Sequence, residues 1–138
     1  MQDIDPVEFA ERWQRRWNDH DIEGVLRDFA EDVVFTSPLA AQIVPGSAGV
    51  IRGRPALARY WAEGLRLHAG LRFNVNAVYA GVNTLVIVYS SNIGDPACEV
   101  LTFEGPLVVV GHGTRLSGTL APEPQSADSR AATASPVT

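Results

Sequence analysis

At 138 residues the chain can bury one core and is short for two ordinary domains. Its 46% apolar content is that of a globular protein, and no apolar run approaches the ~20 residues that span a bilayer. A net charge of −5 argues against nucleic acid or an anionic membrane as partner. All 11 basic residues are arginine, which excludes lysine Schiff-base and lysine general-base chemistry, and the lone Cys98 excludes an internal disulfide.

In chain order, Met1 to Pro6 is acidic and has neither the basic nor the apolar region of a secretory signal, which with Cys98 predicts a reducing cytoplasmic setting. Asp5-Pro6-Val7-Glu8 is a helix start: a carboxylate cap, proline at the first helical position and glutamate at the third. Phe9, Trp13 and Trp17 follow at four-residue spacing and give that helix an aromatic face. Glu8, Glu11, Arg12, Arg15 and Arg16 are predicted to form its solvated face. Asp21 caps a second helix with Ile22, Val25, Leu26 and Phe29 as its buried stripe, weakened by Gly24. Asp28, Glu31 and Asp32 read as solvated surface charge.

Val33 to Ser37 is predicted as a strand stopped by Pro38, and 39–51 as a loop forming a pocket rim or lid. Pro55 opens a third helix with Leu57, Tyr60, Trp61, Gly64 and Leu65 on one face. Four apolar-rich runs then follow, 71–80, 84–92, 97–103 and 107–115, separated by turns too short for anything but antiparallel neighbours. Three helices followed by a meander predict an α+β fold over 1–117, and the Pro-, Ala-, Ser- and Thr-rich 118–138 a disordered tail.

Three segments carry a resemblance. Trp17-Asn18-Asp19-His20-Asp21 between two helices, Ile51-Arg52-Gly53-Arg54-Pro55-Ala56-Leu57-Ala58-Arg59-Tyr60-Trp61, and Glu99-Val100-Leu101-Thr102-Phe103 followed by Val109-Val110-Gly111-His112-Gly113 occur in one order. Together they resemble the SnoaL-like branch of the nuclear transport factor 2-like superfamily over roughly residues 5 to 116. The resemblance implies a cone-shaped, cystatin-like fold, three N-terminal helices packed on a curved antiparallel sheet, and a homodimer through the outer sheet face. It implies function only loosely, because isomerases, cyclases, dehydratases, epoxide hydrolases and non-catalytic binders share the fold. Ketosteroid isomerase, in the same superfamily, uses an Asp base after the first strand, a Tyr on helix one and a second Asp on a later strand. By motif position these fall on Ser37, Trp13 and Glu99. A serine cannot take a proton alpha to a carbonyl unaided, so ketosteroid isomerase activity is not expected. The Asp-Arg-Asp set of limonene-epoxide-hydrolase-like chemistry is missing from these strands as well.

Two residues remain as catalytic candidates. Strand alternation puts Glu99 on the face of Leu101 and Phe103; if that face is inward, Glu99 is a carboxylic acid in an apolar pocket, able to donate a proton or a hydrogen bond to a carbonyl. A strand-end glutamate paired with Arg72 or Arg115, or simply exposed, is the alternative. His112, between Gly111 and Gly113, could approach a ligand closely or lie outside at a dimer face. The expected pocket walls are Trp13, Trp17, Phe35, Ser37, Tyr60, Trp61, Phe73, Tyr89, Leu101 and Phe103. His20 and His68 read as helix caps, and the 3 histidines have no metal-ligand spacing, so neither metal nor cofactor is expected.

Two functions stay open. The chain acts on an apolar, carbonyl-bearing small molecule as a cyclase, isomerase or dehydratase. Alternatively it is a non-catalytic holder of a hydrophobic ligand, or a dimeric assembly protein.

Overall fold

The computed structural model describes residues 4–123. Its elements run α1 (Pro6–Asn18), α2 (Ile22–Leu26), β1 (Phe29–Thr36), α3 (Pro38–Ile43), β2 (Val50–Arg52), α4 (Arg54–Leu67), β3 (Phe73–Gly81), β4 (Thr84–Ser91), β5 (Ala97–Glu104) and β6 (Leu107–Arg115). The strands form one 6-stranded sheet in the order β2-β1-β6-β5-β4-β3. The fold is the α+β cone, with helices laid against the concave face of a curved sheet.

The Asp5 carboxylate accepts from the backbone N–H of Val7 at 3.0 Å and of Glu8 at 3.2 Å, which fixes where α1 begins. Four residues on, the aromatic face takes over: Phe9, Trp13 and Trp17 are buried. Trp13 stacks on Phe73, with ring centroids 5.3 Å apart, and Trp17 meets Trp61 edge-on at 5.0 Å. Both contacts tie α1 to distant parts of the chain.

Several local expectations change. Gly24 does more than weaken α2, because a Cβ there would collide with the Asp21 carboxylate that caps the helix through Gly24 N–H at 2.9 Å. Asp28 is not solvated surface. It bridges Arg12 at 3.2 Å and Arg16 at 3.1 Å, all three partly buried, and so clamps α1 onto the chain leaving α2. Phe29 opens β1 instead of closing α2.

The expected 39–51 loop contains the short helix α3 and the strand β2, which pairs antiparallel with β1 through Phe35 and Ile51. The helices therefore number four among the described residues, one more than predicted. The 71–115 meander is as read, but β1 joins it parallel to β6, so the sheet is not wholly antiparallel. A parallel neighbour needs a long crossover, and everything from α3 to β5 supplies it.

Register shifts leave an extra residue at Asn76 in β3, opposite β4, and at Val109 in β6, opposite Thr102 and Phe103 of β5. Such irregularities raise local twist and bend a sheet around its core. Alternation then sorts the side chains: Leu85, Ile87, Tyr89, Glu99, Leu101 and Phe103 are buried under the helices. Opposite them, Thr36, His112, Val100, Val86 and Tyr79 stand in register across five strands on the convex face. Of the predicted tail, residues 118–123 are exposed with no helix or strand, and 124–138 lies outside the described residues.

Candidate functional site

The helices do not fill the cone. Between α1, α4 and the concave face lies a cavity of about 330 Å³. Trp13, Trp17, Phe35, Ser37, Tyr60, Trp61, Phe73 and Tyr89 line it, together with Glu99. Leu101 and Phe103 do not reach it; they belong to the packed core beneath, where Phe103 meets Phe9 edge-on at 5.3 Å. Both are buried as expected, but as foundation instead of wall.

Glu99 lines the cavity and is 8% exposed. Its Oε1 accepts a hydrogen bond from the Tyr89 hydroxyl at 3.2 Å. Neither Arg72 nor Arg115 pairs with it. Its Oε2 makes no hydrogen bond, and among the described residues no fully buried side-chain oxygen or nitrogen is left without a partner, so Oε2 opens to the cavity. Burial pushes the carboxyl up to about 8, against the opposing pull of the Tyr89 hydrogen bond. At neutral pH it is mostly a neutral acid. Burial and the neighbouring carboxyl hold the Tyr89 phenol well above its ordinary range, so its proton stays on.

A second polar pair faces the same space. Tyr60 donates to Ser37 Oγ at 2.9 Å, and burial pushes its phenol up to about 12. Ser37 ends β1 and caps α3, taking the Leu39 N–H at 3.2 Å on its Oγ while its own N–H reaches Gly49 O at 3.0 Å. Gly113 of β6 lies close to both groups. A Cβ built on it would stand 3.3 Å from Glu99 Oε1 and 3.6 Å from Ser37 Cβ.

His112 stands outside this arrangement. Gly111 and Gly113 take the concave positions of β6, and alternation turns the exposed His112 to the convex side, where its Nδ1 lies 2.6 Å from Thr36 Oγ1. The flanking glycines serve the inner face instead: a Cβ at Gly111 would come within 2.8 Å of the Phe35 ring. The sequence signal was genuine, but it belonged to the neighbours.

Lining residues not expected from the sequence lie on loops, helix ends and the end of β6: Leu39, Leu65, Leu71 and Ile93 are apolar, while His68, Asp95 and Arg115 are exposed. His68 closes α4 through its backbone N–H to Gly64 O at 3.0 Å, as expected of a cap, and also lines the cavity. His20, left-handed at φ 56° in the turn after α1, likewise donates its backbone N–H to Trp17 O at 2.9 Å, and its Nε2 lies 2.9 Å from Leu71 O. Among the described residues no cluster of three or more metal-ligating side chains occurs.

A curved, unclosed six-stranded sheet with the helices against its concave face is the nuclear transport factor 2-like cone. Residues 10–113 match the SnoaL-like domain family, and the chain belongs to that family. A SnoaL-like protein of unknown function from Burkholderia thailandensis E264 is 31% identical, with 81% of this chain and 94% of that one covered and a TM-score of 0.76. TerC, crystallised with polyporic acid, is 15% identical over 81% of this chain and 92% of its own, at a TM-score of 0.65. AclR from Streptomyces galilaeus, a candidate hydroxylase, is 14% identical over 80% and 88%, at 0.63. The latter two speak for the fold alone. No curated protein matches the sequence.

Proposed function

We propose that the cavity holds an apolar, carbonyl-bearing small molecule and that Glu99 is the acid that meets its carbonyl oxygen. One observation carries this reading: a buried carboxyl, hydrogen-bonded only through Oε1 to the Tyr89 hydroxyl and pushed by burial up to about 8, lines an aromatic-walled space. A neutral acid in an apolar site donates a strong hydrogen bond and can lend its proton as charge builds on the carbonyl oxygen. The carbonyl carbon becomes more electrophilic, and the carboxylate left behind takes the proton back. Cyclisation, dehydration and isomerisation all profit from that step. Trp13, Trp17, Trp61 and Phe73 would hold the body of the ligand, and the co-crystallisation of TerC with polyporic acid is in keeping with such a use of the cone.

A second reading, a holder without turnover, is favoured by Ser37. No base stands at the end of β1, where an enzyme abstracting a proton alpha to the carbonyl would need one. In either case the exposed Tyr79, in a cross-strand row with Val86 and then Val100 on the convex face, supports pairing of two copies there. The unpaired Cys98 fits a reducing cytoplasm.

The test is thermal unfolding against apolar ketones, epoxides, steroids and aromatic polyketides. A ligand at ~100 times its dissociation constant adds ~2.7 kcal/mol and raises the midpoint by several degrees. A selective rise that Glu99→Gln diminishes supports the reading, and turnover of that ligand then separates enzyme from holder. No rise across the panel overturns it. Gel filtration of a Val86→Arg variant checks the pairing, with a shift to the monomer expected.

A further inference from the structure

We propose that the ligand carries a carboxylate at one end and that Arg115, at the mouth of the cavity, binds it, so that the ligand class is an aromatic keto acid. The proposal rests on the reading of the cavity as a carbonyl site and adds to it a residue and a ligand class. The polar lining falls into two groups. Tyr60, Tyr89 and Glu99 are buried, whereas His68, Asp95 and Arg115 line the same cavity and are exposed, which places its mouth among them. Across the β5–β6 ladder Gly113 stands opposite Glu99, and Arg115 opposite Ala97. Arg115 is two residues past Gly113 and so shares its concave side. Ala97 presents only a methyl beside it, and the Leu116 N–H holds the strand end to Pro96 O at 2.8 Å.

Nothing in the protein answers the charge of Arg115. Among the described residues it has neither an ion pair nor a side-chain hydrogen bond, although Asp95 and Glu99 line the same cavity. Asp95 is also unpaired and opposes a ligand anion, which keeps the expected gain moderate. Water solvates an exposed guanidinium. An apolar ligand lying among Trp13, Trp17, Trp61 and Phe73 strips that water from the cavity side, and a cation so stripped is costly without a counter-charge. A carboxylate on the ligand removes the cost, because its two oxygens match the parallel N–H groups of a guanidinium. The same anion suits Glu99. Negative charge nearby keeps a carboxyl protonated, whereas a cationic ligand would draw the proton off and meet repulsion from Arg115. Two residues of strand, about 7 Å, separate the Glu99 row from the Arg115 row, so the ketone and the carboxylate lie on that scale apart.

The probes are naphthoylbutyrate, whose ketone and carboxylate are separated by three methylenes, and its uncharged methyl ester, each titrated calorimetrically at neutral pH. The natural protein should bind the acid about 10-fold more tightly than the ester, the worth of one charge-assisted contact at an exposed site. The gap should narrow as salt is added. Arg115→Gln should close it by weakening the acid alone, and the exposed position lets the variant fold. Arg59→Gln removes the same charge from an exposed arginine of α4 that does not line the cavity, and should leave both affinities as they are. That control separates a contact at the mouth from general attraction. Equal affinities for acid and ester in the natural protein overturn the proposal. So does a gap that survives Arg115→Gln, or one that Arg59→Gln closes equally. In each of these cases binding of the ester keeps the pocket reading standing. A natural protein that binds neither probe overturns both.

Discussion

The two faces of one pair of strands differ more than any two regions far apart in the chain. On the concave side, β5 and β6 present Glu99, Gly111 and Gly113 to the cavity and its walls; on the convex side, one residue along, they present Val100 and His112. Glu99 lies buried beside Tyr89 and is pushed up to about 8, whereas His112 is exposed and touches Thr36. The chemistry of an ionisable group here is decided by the parity of its position. The sequence offers both as catalytic candidates; the histidine between two glycines is a convex-surface residue, and the glutamate that shares a face with Leu101 and Phe103 is the buried acid.

The contrast can be broken most strongly through Glu99. Its folded pKa lies above the ordinary 4.5, so the native state binds more protons than the unfolded one between about 4.5 and 8. Stability is fully present below about 4.5, declines as pH rises and levels off above about 8. The decline amounts to as much as about 5 kcal/mol, reduced by whatever water reaches the carboxyl. Denaturant melts of the natural protein and Glu99→Gln across that window should show a slope in the first and its loss in the second. Equal slopes would remove the buried acid from the account.

The aromatic wall comes next. Trp61 packs edge-on against Trp17 at 5.0 Å, Phe29 at 5.4 Å and Phe35 at 5.8 Å. Trp61→Ala should cost ~3–5 kcal/mol in chemical denaturation. A loss below ~1 kcal/mol would mean that the wall is lax. Gly111→Ala forces a methyl to within 2.8 Å of Phe35 and should cost ~1–3 kcal/mol. Gly113→Ala comes within 3.3 Å of Glu99 Oε1 and otherwise makes ordinary contact with Phe35 at 3.5 Å and Ser37 at 3.6 Å, so it should change stability far less. Calorimetry of the two variants side by side distinguishes a packing glycine from a cavity glycine. Smallest of all, His112→Ala on the convex face should stay within ~0.5 kcal/mol and leave ligand binding unchanged. A larger loss of binding would return His112 to the site.

Much of this was legible in the sequence because it depends on short-range periodicity. The Asp5 cap, the Phe9-Trp13-Trp17 face and the β3–β6 meander each follow from a few adjacent residues and their steric preferences, and each is present. Alternation alone put Glu99 with Leu101 and Phe103, and the three are buried together. Where the reading erred, partners distant in sequence had intervened. Asp28 looked solvated until Arg12 and Arg16 closed on it from α1. The 39–51 segment has no period, yet α3 forms because Ser37 caps it and β2 forms because β1 offers an edge.

What the sequence determined by itself is every element except α3 and β2, their order and the faces they bury, since these follow from local geometry and the distribution of apolar side chains. Only the tertiary structure decided which face of β6 turns inward, that β1 runs parallel beside it, and that Ser37, Glu99 and Gly113 share one end of a cavity. Those three come from the end of β1, from β5 and from β6, so no window of sequence holds them together. Their meeting is fixed by the curvature and register of the sheet, which arise only when all its strands have paired.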